Sequence, residues 1–225
     1  PPGRVRGRVR AMTGEFSGGT AASFKATVKS LETRPELFNV LIDPFSLAGK
    51  AGPEQPADNK PYEDDVLGAW VAPFIMAAIN TKNVHRSNAL MDYAYGENFL
   101  YDEMMVTGFG DEGKAVAEYV TKASPLDGDN VPQPGEGPSK EKRESGNYDV
   151  LFLAEGADGS VLKASVKGDM DPGYGSTSKM IAESALCLVQ DCGELGGGIY
   201  TAASAMGDKL VTRLEANAGL TFSME

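Results

Sequence analysis

The chain's single histidine, His85, lies in NTKNVHRSN together with Asn80, Arg86, Ser87 and Asn88. A lone imidazole can act as a general acid or base, and a guanidinium flanked by amides can clamp a carboxylate, a thioester or a phosphate. One histidine excludes HExxH and any other site that needs two, and no His, Cys, Asp and Glu spacing marks a metal centre. A second stretch, GEFSGGTAAS, places Ser17, Gly18, Gly19 and Thr20 in a glycine-rich turn entering a helix, where free N–H groups and the helix dipole can hold a phosphate. It has neither the P-loop ending in Gly-Lys-Ser/Thr nor GxGxxG, so its glycines read first as steric devices in a tight connection. A third, GDMDPGYGSTS, gathers Asp169, Asp171, Tyr174, Ser176 and Thr177. Tyr174 or Asp171 could donate a proton there, while Asp-Pro-Gly is a turn and Ser176 or Thr177 a helix cap. No Ser-His-Asp order and no carboxylate pair stands out.

The elements that must position these groups follow from periodicity. Arg4, Arg6, Arg8 and Arg10 alternate with Val5, Gly7, Val9 and Ala11, which predicts a strand whose arginines meet carboxylates or a partner. Ser17 is a good N-cap for a helix with Ala21, Phe24, Val28 and Leu31 on one face, and Pro35 opens a second short helix. Prolines 44, 53, 56 and 61 mark a long loop near 43–65. The apolar run from Val66 to Ile79 reads as a core element, short of a membrane span but long enough to dip into a lipid surface. Leu90, Met91, Ala94 and Tyr95 continue at helical spacing until Gly96. A strand over NFLYDEMMVTG, a helix over Asp111 to Lys122 and a second polar loop near 123–147 follow. Next come a hairpin around Ala157-Asp158-Gly159, an amphipathic helix after DPGYG, a further helix and a last strand. About five strands and five or six helices, with at least one hairpin, predict an α+β fold, mostly antiparallel, with helices packed on one face.

Composition narrows the partners. Lys and Arg number 21 against 32 Asp and Glu, a net charge of −11, so the molecule repels polyanions, which disfavours nucleic acid as a general ligand and leaves the arginine strand as the one local exception. Cys187 and Cys192, five apart in a helical pattern, sit about 140° apart around the axis and match neither CxxC nor a zinc knuckle. Buried thiols in a reducing compartment, cytoplasmic or organellar, are the expectation. Pro1 is no natural initiator, which suggests a longer polypeptide.

Whole phrases then resemble a known family. VRAMTGEFSGGTAASF, DPFSL, WVAPFIMAAINTKNVHRSNALMDYAYGENFLYDEMM, GDMDPGYGSTSKMIAESALCL and GGGIYTAASAMGDKLVTRLEANAGLTF are similar to the C-terminal part of saccharopine dehydrogenase-like oxidoreductases, which include trans-acting enoyl reductases. The resemblance implies one substrate and dimerisation-type α+β domain over 1–225, following an N-terminal Rossmann domain that this chain lacks. It further implies NADP(H), bound mainly by that missing domain, and reduction of an enoyl or imine substrate in lipid-related chemistry. Implied partners are the chain's own Rossmann domain, a second copy or a larger assembly, and a peripheral lipid contact; nucleic acid is not among them. The alternative is a non-catalytic structural or assembly subunit. Ser17, Gly18, Gly19, Thr20, Asn80, His85, Arg86, Asn88 and Tyr174 are the candidate substrate contacts, with no catalytic residue assigned. The chain departs from the family where Met170 and Asp171 interrupt GDPGY and where Thr201-Ala202-Ala203 replaces TPA.

Overall fold

The alternating arginine stretch forms β1 (Arg4–Met12), the middle strand of a seven-stranded sheet in the computed structural model, which describes residues 3–123 and 131–225. The fold is α+β. Sheet order is β2-β3-β4-β1-β5-β6-β7, with β2 (Tyr62–Asp64), β3 (Ala69–Pro73), β4 (Leu100–Gly108), β5 (Tyr148–Glu155), β6 (Val161–Gly168) and β7 (Leu220–Met224). Every pairing is antiparallel except β1 with β4.

All four β1 arginines meet carboxylates. Arg4 pairs with Asp102 at 2.7 Å, Arg6 with Asp65 and Glu155, Arg8 with Asp64 and Asp102 at 2.8 Å, and Arg10 with Asp149 and Glu225. Asp64 lies on β2, three strands from β1, about 14 Å away across a flat sheet. No arginine side chain reaches that far, so the sheet curls until β2 faces β1 across its concave side. Arg8 and Asp64 are fully buried there. Pairing lets these charges leave water, and the carboxyl of Asp64 shows it: burial pushes it up, but the hydrogen bond and charge of Arg8 hold it below the usual range.

The structure adds two strands that the sequence pattern hides. β2 lies at the end of the proline-rich loop, and the apolar run splits at Pro73 into β3 and the approach to α3 (Ala77–Leu90). Among the described residues no helix is long and apolar enough to cross a membrane. The helix does not continue to Gly96: Asp92 and Tyr93 both adopt positive φ, 53° and 59°, and turn the chain back.

Ser17 caps α1 (Gly18–Thr33) as expected, accepting from the Thr20 N–H. The apolar face predicted for α1 is not buried: Ala21 is, but Phe24 and Val28 are exposed, as are Phe38 and Ile42 on α2 (Leu37–Ile42). α4 (Gly110–Lys122) packs on β3 and β4, with Gly113 so close to the Gly108 backbone that a side chain at 113 has no room. Within the second loop, residues 124–130 lie outside the described residues, 131–139 cover the start of α1, and α5 (Lys140–Ser145) follows. α6 (Gly175–Gln190), α7 (Ala202–Asn217) and β7 enclose a core of Cys187, Cys192, Met206, Leu210, Leu214 and Leu220. Because α6 stops at Gln190, the angle expected between the cysteines for a continuous helix does not apply. Both thiols are free and share this core.

Candidate functional site

A strand period of two sends Val9 to the face of β1 opposite the arginines, and register aligns Val150 and Phe152 of β5 and Glu103 of β4 with it. These residues floor a cleft of about 620 Å³. Phe74, Ile75 and Met76, between β3 and α3, form one wall; Met180 of α6 and Tyr148 of β5 form the other. Gly168 lies opposite Tyr148, and a Cβ there would stand 2.1 Å from the Tyr148 ring, so glycine makes room for that wall. The lining is mainly apolar, and its size is that of a small-molecule or acyl-chain site. A second hollow continues past Gly14, Glu15 and Phe16 toward Pro132 and Gly137.

Thr20, Asn80 and Tyr174 of the predicted residues line the cleft. The Ser17 N–H donates to the Tyr174 hydroxyl at 2.7 Å, and the Thr20 and Tyr174 hydroxyls lie 2.9 Å apart. Burial opposes ionisation of Tyr174, but these hydrogen bonds outweigh it and leave the phenol below its ordinary value. The loop bearing Tyr174 is fixed by Asp171, whose carboxylate accepts the N–H groups of Gly173, Tyr174 and Gly175 at 2.6 to 3.0 Å. Asp171, not Ser176 or Thr177, therefore caps α6. Asp171, one of the two residues that interrupt the family's GDPGY, has this structural task. Thr201 likewise caps α7 in a reciprocal pair with Ser204.

Most backbone donors of the glycine-rich turn are used inside the molecule. The N–H of Ser17 goes to Tyr174, that of Gly18 to the Glu136 carbonyl, that of Thr20 to the Ser17 hydroxyl and that of Ala21 to the Ser17 carbonyl. Those four donors are not free to meet a phosphate. Gly18 serves as a steric device: a Cβ there would lie 1.8 Å from the Gln133 carbonyl oxygen. Gly19 is exposed and meets only the Ser17 hydroxyl.

The rest of the α3 cluster stands elsewhere. His85 is buried between Phe45, with ring centres 4.3 Å apart, and Phe99, beside a cavity of about 20 Å³. Its Nε2 has no hydrogen-bond partner among the described residues, and burial lowers its pKa to about 4. It is a buried, neutral residue and is not among those that line the cleft. Asn88 staples the turn after α3, donating to the Gly96 carbonyl and accepting the Tyr95 N–H. Arg86 donates to the carbonyls of Leu47 and Ile199.

The sequence reading missed Glu103. It is 8% exposed, sits in the cleft, and accepts the Tyr101 hydroxyl at 2.5 Å and the Asn80 amide at 2.8 Å. Burial pushes its carboxyl up, Tyr101 and Asn80 oppose the shift, and Asp102 and Asp58 reinforce it; the net direction is upward. Its neighbour Asp102 points the other way, into the arginines. The period of β4 was the available signal, because it assigns adjacent acids to opposite faces.

Two sets of curated relatives align along most of the chain. A Mycobacterium tuberculosis (strain ATCC 25618 / H37Rv) protein whose name as a trans-acting enoyl reductase is provisional is 36% identical over 92% of this chain and 56% of its own length. Proteins named trans-acting enoyl reductase from Mycobacterium bovis and Mycobacterium ulcerans are 30% identical over 88% of this chain and 54% of theirs. The chain is homologous to trans-acting enoyl reductases. It spans about half the length of these relatives. No family model matches the chain, and no solved structure matches it.

Proposed function

We propose that this chain is the acyl-binding portion of an enoyl reductase of the saccharopine dehydrogenase-like type, and that the cleft receives the acyl chain of an α,β-unsaturated thioester. The carrying observation is the apolar cleft itself, floored by Val9, Val150 and Phe152 and bordered by the hydrogen-bonded Thr20 and Tyr174. Burial of a hydrocarbon chain against that floor supplies affinity, and the few polar groups set orientation. NADP(H) belongs in this reading with the share of the relatives' length that the chain does not match, since most backbone donors of the turn at Ser17 are engaged inside the molecule. A long-chain trans-2-enoyl thioester of N-acetylcysteamine should bind the chain with a 1:1 stoichiometry in calorimetry. Phe152→Asp, which plants a charge in the floor, should abolish that binding without unfolding the protein. Equal binding by both proteins refutes the assignment.

A second reading is a non-catalytic assembly subunit, and the α1–α2 arm favours it. Phe24, Val28, Phe38 and Ile42 are exposed there, and α1 has its main element contact with α2. A single-species monomer at high concentration in analytical ultracentrifugation, with reductase turnover by the protein purified from its source, counts against that reading.

A further inference from the structure

The buried carboxylates of this protein are solved in three different ways. Asp64 and Asp102 meet arginines, and Asp171 accepts three backbone N–H groups. Glu103 has neither: among the described residues no Lys, Arg or His forms an ion pair with it, and its two partners are one phenol and one amide. A buried carboxylate without a cation is costly, and the neutral acid removes that cost. Gly7, cross-strand from Glu103, leaves the space its side chain uses. A Cβ on residue 7 would stand 2.9 Å from the Glu103 Cγ and 3.1 Å from the Tyr101 hydroxyl.

Resting on the acyl-binding reading, we infer that Glu103 stands in the cleft as a neutral carboxylic acid and donates a hydrogen bond to the carbonyl oxygen of the bound acyl thioester. The acid holds the carbonyl beside the Asn80 amide and withdraws charge from the conjugated double bond, which fixes the substrate class as a carbonyl-conjugated acyl group and not a plain hydrocarbon. The upward shift of the Glu103 carboxyl agrees with this placement. The titratable groups around it are Tyr101 and Asp102 on β4 and Asp58 in the loop before β2; Tyr148, Asp171, Tyr174 and Glu15 line the cleft. None of these is a cation.

The test compares wild type, Glu103→Gln and Glu103→Leu for binding of the trans-2-enoyl N-acetylcysteamine thioester and of its thioether analogue without the carbonyl, from about pH 5 to about pH 9. Loss of one donor to a bound carbonyl should cost about tenfold in affinity. Wild type should therefore bind the thioester about tenfold more weakly once Glu103 ionises. Glu103→Gln, a neutral donor of the same shape, should hold the low-pH affinity throughout, and Glu103→Leu should bind weakly at every pH. The thioether should show none of these differences. Matching pH profiles for wild type and Glu103→Gln, or tight thioester binding by Glu103→Leu, overturn the inference while leaving the acyl reading intact. Failure of both ligands to bind overturns the acyl reading and the carbonyl role together. Infrared spectroscopy decides the acid's state without any ligand: a protonated-carboxyl band at neutral pH, absent from Glu103→Gln, supports the inference, and its absence from wild type overturns it.

Discussion

Replacing His85 by phenylalanine isolates a pH dependence that the fold builds around one imidazole. In the folded protein burial lowers the pKa of His85 from 6.5 to about 4. The unfolded chain binds the proton below about 6.5 and the folded chain does not, so stability is complete above that value and declines as pH falls toward 4. Linkage over that interval gives a loss of about 2 kcal/mol at pH 5 and about 3 kcal/mol at pH 4. Because the chain has no other histidine, the variant removes every imidazole contribution. The phenyl ring also suits the site, since it stays between Phe45 and Phe99, removes the unpartnered Nε2 and gains volume beside a cavity of about 20 Å³. Urea unfolding of both proteins at pH 7 and pH 5 reads the effect directly. The wild type should lose about 2 kcal/mol more than the variant between these pH values. Equal losses in the two proteins refute the assignment of His85 as a buried neutral core residue.

Other substitutions probe the supports of the cleft. Asp64→Ala leaves Arg8, which is fully buried, with half its charge partners and removes the acceptor for the Val66 and Leu67 N–H groups; it should destabilise by about 3–5 kcal/mol in urea unfolding. The same pair predicts acid sensitivity: the Asp64 carboxyl is held low, so its contribution is present above the usual carboxylate range and disappears as pH falls through the folded value. Gly18→Ala drives a methyl into the Gln133 carbonyl and should lower the thermal midpoint, whereas Gly19→Ala, which meets only a side-chain hydroxyl at 3.5 Å, should leave it unchanged. Tyr174→Phe removes the acceptor of the Ser17 N–H and should cost about 1–2 kcal/mol, with faster hydrogen exchange at Ser17.

The fold was legible where one residue pattern sufficed. Alternation announced β1 and the need of its arginines for acids, and Ser17 announced the start of α1. β2 was hidden because three residues at the end of a proline-rich loop carry no period, and β3 because Pro73 cuts an apolar run that reads as continuous. The site was legible in part. Thr20, Asn80 and Tyr174 line the cleft and Ser17 bonds to Tyr174, but sequence proximity to Asn80 carried His85, Arg86 and Asn88 with it. On a helix those positions face other walls, and only burial between two phenylalanines tells a core histidine from a catalytic one. Glu103 lay in an acidic pair that the two-residue period of β4 divides, sending Asp102 to the arginine face of β1 and Glu103 to the cleft.

Photolabelling tests the central claim most directly. A long-chain enoyl thioester carrying a diazirine in its acyl chain, bound to the protein, irradiated and mapped by mass spectrometry, should label Met76, Phe152 and Met180, and excess unlabelled thioester should suppress those adducts. Labels confined to Phe24, Val28 and Phe38 on the exposed α1–α2 arm, or adducts that the unlabelled ligand does not displace, contradict an acyl-binding cleft.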